Sequence, residues 1–308
     1  MADPVPLFDR RFDPRHGRAV AIGDVVRRIT ARNPGPFTFH GTNTFLVGGE
    51  TEIVVVDPGP DDATHVAEVL WTIGDARVVA ILLTHTHRDH TGAAAALASA
   101  TGAPLLVGAS RGRIRAEAAG SRLDDALDTA LKPARYLEDG ERIAVEDFHL
   151  EAIATPGHTS DHVCFALPSQ RTIFTGDHVM AWSTSVVVPP DGSMAAYMAS
   201  LGRIAERPER RLLPAHGPGI GEATSGEHIA GLLHHRRRRE RALLDTVTAT
   251  PGRTVPEMVE TIYTDVDRSL HGAAAMSLLA HVENLVDRGL IADSGPLDLT
   301  TRWHPRAG

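Results

Sequence analysis

The sequence predicts an α/β domain followed by a smaller helical domain. Short β-rich runs alternate with helical stretches up to about Gly221, which is the signature of an α/β architecture. One run, Val78 to Thr84, is apolar almost throughout, as a strand buried on both faces should be. Beyond Gly221 the pattern turns helical. The 308 residues are enough for one large and one small domain. We therefore divide the chain into an arm at 1–18, an α/β domain at 19–221 and a helical domain at 222–308, with the junction between Pro218 and Glu227.

The arm is polar, and Pro4, Pro6 and Pro14 interrupt regular structure. Thr44–Val47 and Ile53–Val56 flank Gly48-Gly49 and read as a hairpin, ended by Asp57-Pro58-Gly59-Pro60. Val66, Val69, Leu70 and Ile73 fall on one face of a helix from Asp62 to Ile73. The alanine-rich stretch from Gly92 to Ala100 favours helix. Further strands are expected at Leu105–Val107, Phe148–Ala154, Val163–Leu167, Thr172–Thr175 and Arg211–Leu213. In the second domain a helix runs from Glu227 to about Ala249. Another begins near Thr254, where Thr254-Val255-Pro256-Glu257 has the form of a capping box. A third runs from Gly272 to Arg288, with Gly289 positioned to cap it. Leu290–Asp293 and Leu297–Thr300 read as two short strands.

Composition excludes several classes. Apolar residues make up 42% and charged residues 23%, ordinary for a globular protein. The formal charge of -8 argues against a dedicated nucleic-acid binder. No apolar run approaches the ~20 residues of a membrane helix. The single cysteine, Cys164, lies in an apolar stretch and reads as a core residue. It permits no internal disulfide, and with no secretory signal evident the sequence reads as cytoplasmic.

The chemistry concentrates in Thr84-His85-Thr86-His87-Arg88-Asp89-His90, with three imidazoles and a carboxylate in six residues. Imidazole nitrogen and carboxylate oxygen are the ligands that Zn²⁺ and similar divalent ions favour. The same local arrangement occurs four times: an apolar strand ends and a potential ligand follows. These ligands are His85, His158, Asp177 and His216. If the four strands lie side by side in the same sense, their loops emerge at one edge and the ligands converge. Gly157, Gly176 and Gly217 each adjoin a ligand, where glycine permits tight turns and close backbone approach.

The motif His85-x-His87-x-Asp89-His90, followed in order by His158, Asp177 and His216, resembles the metallo-β-lactamase superfamily over roughly Ile22 to Gly221. The resemblance implies a four-layer αββα sandwich. It further implies two divalent metal ions, with zinc favoured by ligand type. His85, His87 and His158 would hold one, Asp89, His90 and His216 the other, and Asp177 would bridge them. Aspartate at the position of Asp177 is typical of the hydrolase and nuclease branches, whereas the true β-lactamases carry Cys or Ser there. The resemblance also implies a hydroxide shared by the two metals as nucleophile. Asp89 and Asp177 are the catalytic candidates, Asp89 by orienting the nucleophile and passing a proton to the leaving group. Asp57 would support a ligand imidazole from behind.

Other residues stay open between roles. His162 and His178 flank the site in sequence and read either as substrate contacts or as structural histidines. Trp182, Ser183 and Ser185 follow Asp177 and are candidates for the pocket wall. Gly41-Thr42-Asn43-Thr44 reads either as a loop over the site or as a plain hairpin entry. His40, His65, His149 and His281 read as ordinary surface or core residues.

Three helices and two short strands outline a winged helix, and the pairing resembles the lactamase-beta-like proteins with a winged-helix tail, a group that includes a mitochondrial endoribonuclease. The tail holds ten arginines, twelve acids and no lysine, and its one basic cluster, Arg236 to Arg239 with Arg241, wraps around a helix instead of forming a stripe. The cluster therefore reads as a solvated face or a packing contact. Three functions are carried forward: hydrolysis of an ester, thioester or related bond in a small molecule, cleavage of single-stranded RNA, and a metal-binding regulator without turnover.

Overall fold

The computed structural model describes residues 3–109, 127–128, 130–264 and 266–306. Alternation of side chains along the strands builds its layers. The first sheet has seven strands in sequential order: β1 (Val20–Ala21), β2 (Val26–Thr30), β3 (Asn43–Gly48), β4 (Glu52–Val56), β5 (Arg77–Leu83), β6 (Leu105–Gly108) and β7 (Arg135–Leu137). The second has five, ordered β12-β11-β10-β9-β8, formed by β8 (Arg142–Val145), β9 (Phe148–Ala154), β10 (Val163–Leu167), β11 (Thr172–Gly176) and β12 (Arg211–Pro214). Val54, Val56, Ala80 and Leu82 of the first sheet meet Leu150, Ala152, Phe165 and Phe174 of the second. Their neighbours Ile53, Val55, Ile81 and Leu83 face outward, onto α1 (Ala63–Ile73) and α3 (Ala94–Thr101). On the other side Ile153, Cys164, Ala166 and Ile173 face α4 (Met194–Glu206) and α5 (Glu222–Ala249). The central strands bury both faces, which explains the unbroken apolar runs. The result is the four-layer αββα sandwich.

The strands that end in chemistry do not all lie side by side. Strands β9, β11 and β12 run in one sense within the second sheet, because β10 is antiparallel to both β9 and β11 while β11 and β12 are parallel. Strand β5, which delivers His85, belongs to the first sheet. The ligand loops meet where the two sheets abut, not along the edge of one. The backbone hydrogen bond from Val163 N to Thr84 O, 2.7 Å, joins the sheets at that place.

Most expected elements occur close to their expected bounds. Helix α1 is capped by Asp62, whose carboxylate accepts from Thr64 N and His65 N. Helix α4 has no counterpart among the elements expected above, although Met194, Tyr197, Leu201 and Ile204 have helical spacing and Ser193 caps it.

The first helix of the helical domain begins earlier than expected. Helix α5 starts at Glu222 and continues for 28 residues, about 42 Å at 1.5 Å per residue. Its first half, through Ile229 and Leu232, packs onto the sandwich. Its second half, through Leu243 and Val247, joins α6 (Val255–Ile262) and α7 (His271–Asp287) in a separate core. The capping box of Thr254 and Glu257 forms as expected. Neither strand expected at 290–293 and 297–300 forms: Ile291 makes only a single bridge, and the Asp298 carboxylate accepts from Thr300 N and Thr301 N, both at 2.8 Å, and makes a turn. The wing is instead closed by single bridges, Ile291 with Pro305 and Arg253 with Trp303. Among the described residues no helix is long and apolar enough to cross a membrane.

Cys164 is fully buried, and burial pushes its thiol up to about 12. At pH 8 only ~10⁻⁴ of it would be thiolate, the reactive form. The native protein should therefore leave a disulfide thiol reagent unconsumed at pH 8, and release one thiol per chain on adding denaturant. Rapid labelling of the folded protein would contradict this packing.

Candidate metal centre

Four turns carry side chains to the junction of the sheets. After β5 the chain passes through His85 and His87 into the short helix α2 (Arg88–Thr91), which presents Asp89 and His90. His158 follows β9, Asp177 follows β11 and His216 follows β12. Two of these turns require glycine. A Cβ on Gly157, at φ 143°, would stand 2.3 Å from the Tyr197 backbone; one on Gly176, at φ 50°, would stand 2.7 Å from Thr84 and 2.8 Å from the His162 ring.

All seven expected side chains come together. His87 Nδ1 lies 2.8 Å from His85 Nε2 and 3.1 Å from His158 Nε2. Asp89 Oδ2 lies 3.2 Å from His216 Nε2 and 3.5 Å from His90 Nε2. Asp177 stands between the two sets, with Oδ1 3.3 Å from His216 Nε2 and Oδ2 3.7 Å from His158 Nε2. Three overlapping groups have donor atoms within 4.8 Å of one another: His85, His87 and His158; His85, His90 and Asp177; Asp89, His90 and His216.

Three atoms at the centre, His90 Nε2, His216 Nε2 and Asp177 Oδ1, are buried without a hydrogen-bond partner. Each such atom costs about 1–3 kcal/mol if nothing compensates it. They point at one another, and a divalent cation satisfies all of them at once, so the donor set fits a metal.

Most of the imidazoles are oriented from behind by protein acceptors. His90 Nδ1 donates to Asp57 Oδ2 at 3.0 Å. His85 Nδ1 donates at 3.0 Å to Thr84 Oγ1, which in turn donates to Asp57 Oδ2 at 2.8 Å. His158 Nδ1 donates to the Val186 carbonyl, and His216 Nδ1 faces the Gly41 carbonyl at 3.5 Å. Each contact leaves Nε2 free to face the centre. Asp57 thus holds two rings, and its own loop is tied down by Thr84 N, which donates to Oδ1 at 2.8 Å. Thr84, Gly41 and Val186 are the orienting groups that the sequence reading lacked. A backbone carbonyl such as that of Val186 leaves no residue-type signal.

Electrostatics separate the two sides. Burial, then the neighbouring imidazoles, lowers His85 well below its ordinary range, and burial takes His87 to about 3. Burial also opposes charge on His90, but Asp89, Asp57 and Asp177 together raise it to about 10. Asp89 is lowered, because His90 and His216 outweigh the effect of burial. One side therefore offers neutral imidazoles, the other an imidazole held among carboxylates.

The residues around the centre divide into wall and support. His162 is buried, shares a 2.8 Å hydrogen bond between Nδ1 and Thr155 Oγ1, and accepts from Asp177 N at 3.3 Å. His178 is fully buried, its ring edge-on to Tyr197 at 5.0 Å, and burial pushes it to about 3. Both rings are buried and contact neighbouring protein groups. Ser185 is buried too, with its hydroxyl hydrogen-bonded to the Asp177 and His178 carbonyls, so it leaves the candidate wall. Trp182 stacks on Phe39 at 4.8 Å and packs against the position of Gly217. The Gly41–Thr44 segment laces to the His216 turn: Thr42 pairs with His216, and Asn43 donates to the Pro214 and Gly217 carbonyls at 3.1 and 2.9 Å.

Residues 37–216 match the Metallo-beta-lactamase superfamily, and residues 254–303 match the Beta-lactamase associated winged helix domain. The chain belongs to the metallo-beta-lactamase superfamily. It is a hydrolase of that superfamily, with a His/Asp metal-binding cluster and a winged-helix tail. It is 28% identical to a Beta-lactamase-like protein 2 homolog of Caenorhabditis elegans, over 92% of this chain and 90% of that one. It is 32% identical to an Atrochrysone carboxyl ACP thioesterase of Aspergillus chevalieri, over 90% of this chain and 87% of that one. A metallo-beta-lactamase family protein from Thermus thermophilus has the same fold, with a TM-score of 0.76 at 22% identity, covering 93% of this chain and all of that one.

Asp57 tests the orienting shell of this superfamily centre. It sits at φ 51°, a conformation that Asn tolerates. Asp57→Asn should keep the fold and weaken zinc affinity about 10- to 100-fold, as removal of such partners generally does. Chelator competition would measure it, and unchanged affinity would contradict the role of Asp57.

Proposed function

We propose that the protein is a binuclear hydrolase acting on an ester or thioester of a small molecule. The observation that carries this reading is the convergence of seven donor side chains on three orphaned buried atoms. His85, His87 and His158 would hold one ion, and Asp89, His90 and His216 the other, with Asp177 shared between them. Imidazole and carboxylate donors favour zinc, though manganese and iron take similar ligands. Such ions, when bound, supply an acidified water near neutral pH and a Lewis acid for the oxygen that gains charge.

The chain's own residues do the rest. Asp89 is half-buried, so one of its two oxygens can orient the attacking water and pass a proton to the leaving group. Asp177, 9% exposed, fixes the spacing of the two halves of the site. The stacked Phe39 and Trp182 form an aromatic wall beside the His216 turn, which favours an apolar acyl group over a polyanion. The fungal relative named a thioesterase supports a thioester. The winged helix is the one feature that favours RNA instead. Burial of Arg236 and Arg239 reduces its basic cluster to three exposed arginines, Arg237, Arg238 and Arg241. The lone buried cysteine is in keeping with a reducing, cytoplasmic setting.

A turnover panel on metal-quantified protein tests this reading. It should include thioesters, carboxylic esters, lactones, a β-lactam, phosphodiesters and single-stranded RNA. Thioester or ester turnover should dominate and change little with salt. It should fall at least about 100-fold in Asp177→Ala, which removes the shared ligand, and in metal-replete Asp89→Asn, as loss of a group acting in proton transfer does. Preferential RNA cleavage with a steep decline as salt rises would replace this proposal with the nuclease reading.

A further inference from the structure

Between β11 and α4 the chain runs irregularly through residues 177–193, and this segment holds the metal centre at two points. The Val186 carbonyl receives His158 Nδ1–H. The Ser185 hydroxyl, one residue earlier, is hydrogen-bonded to the Asp177 and His178 carbonyls. A single dipeptide therefore sets the direction of His158, which follows β9, and of Asp177, which follows β11. An unpaired loop has no ladder to fix it, so something else must.

The brace comes from the far side of the molecule. Arg236 of α5 sends Nη2 to the Ser185 carbonyl, and its guanidinium lies 5.1 Å from the centre of the Tyr197 ring. Tyr197, on α4, donates its hydroxyl to the His178 carbonyl at 3.1 Å and reaches Ser185 Oγ at 3.4 Å. Arg236 is only 3% exposed, and among the described residues no carboxylate pairs with it. Its Nε has no partner, and the neighbouring buried His281 of α7 has none on either ring nitrogen. A buried, unpaired guanidinium is expensive, and an apolar residue of similar volume would suit stability better. Its placement makes sense if it holds the Ser185 carbonyl, and through it the adjoining Val186, in position.

We propose that Arg236 is a positioning residue for the metal centre, through which the helical extension fixes His158 and Asp177. It lies in neither of the two stretches that match a family, 37–216 and 254–303. This gives the middle of α5 a part in the chemistry beyond covering the sheet. The inference rests on His158 and Asp177 being metal ligands.

The test uses the full chain with Co²⁺ as the probe, since its visible absorption reports ligand geometry directly. Arg236→Met keeps the bulk over Tyr197 and removes the donor. The metal-free variant should melt at or above the wild-type temperature, bind Co²⁺ about tenfold or more weakly, as loss of outer partners generally does, and show altered visible bands. Arg236→Lys, which can still donate to Ser185, should recover part of the affinity and of the spectrum. Ser185→Ala keeps the carbonyl that Arg236 holds and reports separately on the hydroxyl that supports Asp177; Arg236→Leu, a second apolar replacement, keeps the proposal testable if the Met variant does not fold. Wild-type affinity and spectrum in the folded variants would overturn the role of Arg236. Failure of the wild-type chain to bind Co²⁺ at all would instead overturn the metal-centre reading beneath it.

Discussion

The structure is organised around one electrostatic constraint: imidazoles and carboxylates are taken out of water at the seam of two sheets and left facing one another. His90, His216 and Asp177 each bring a buried atom with no protein partner to the same small volume. Polar groups are not buried that way without compensation. A divalent cation is the compensation that suits these donors, and the surrounding architecture follows as the means of holding them still against mutual repulsion.

The sandwich meets this demand by division of labour. Strand β5 of one sheet and strands β9, β11 and β12 of the other end at the seam, each releasing a ligand at its last turn. The strands are buried on both faces, so the ends from which the ligands spring are rigid. Behind the ligands stand Asp57, Thr84 and the carbonyls of Val186 and Gly41, which select the ring nitrogen that faces the centre. The helical tail is part of the same arrangement, since α5 packs on the outer face of the second sheet and carries Arg236 to the loop between β11 and α4.

What the sequence revealed and what it concealed divide along physical lines. The cluster from His85 to His90 is local, so three imidazoles and a carboxylate are legible in six residues, and the superfamily resemblance extends that to His158, Asp177 and His216. The hairpin at Gly48-Gly49 and the capping box at Thr254 are equally local and equally clear. The chain reads as strand-like from Ala19, but the bounds of β2 are blurred because Arg27 and Arg28 read as polar; Arg28 buries its stem, donates to the Asp13 carbonyl at 3.0 Å and covers the Phe12 ring. Strands β7 and β8 are too short to show a period. The sheet that β5 joins is a matter of long-range pairing, which periodicity does not encode. The orienting carbonyls of Val186 and Gly41 belong to the backbone and have no letter in the sequence. His162 and His178 fall near the ligands in sequence but turn into the core, which proximity and residue type do not reveal.

The most direct measurement is a crystal structure of the zinc-grown protein with anomalous scattering recorded on both sides of the zinc edge. The account requires two anomalous peaks inside the ring of His85, His87, Asp89, His90, His158, Asp177 and His216, with Asp177 touching both. Imidazoles turned away from a common centre, or no anomalous signal among these residues at saturating zinc, would contradict it.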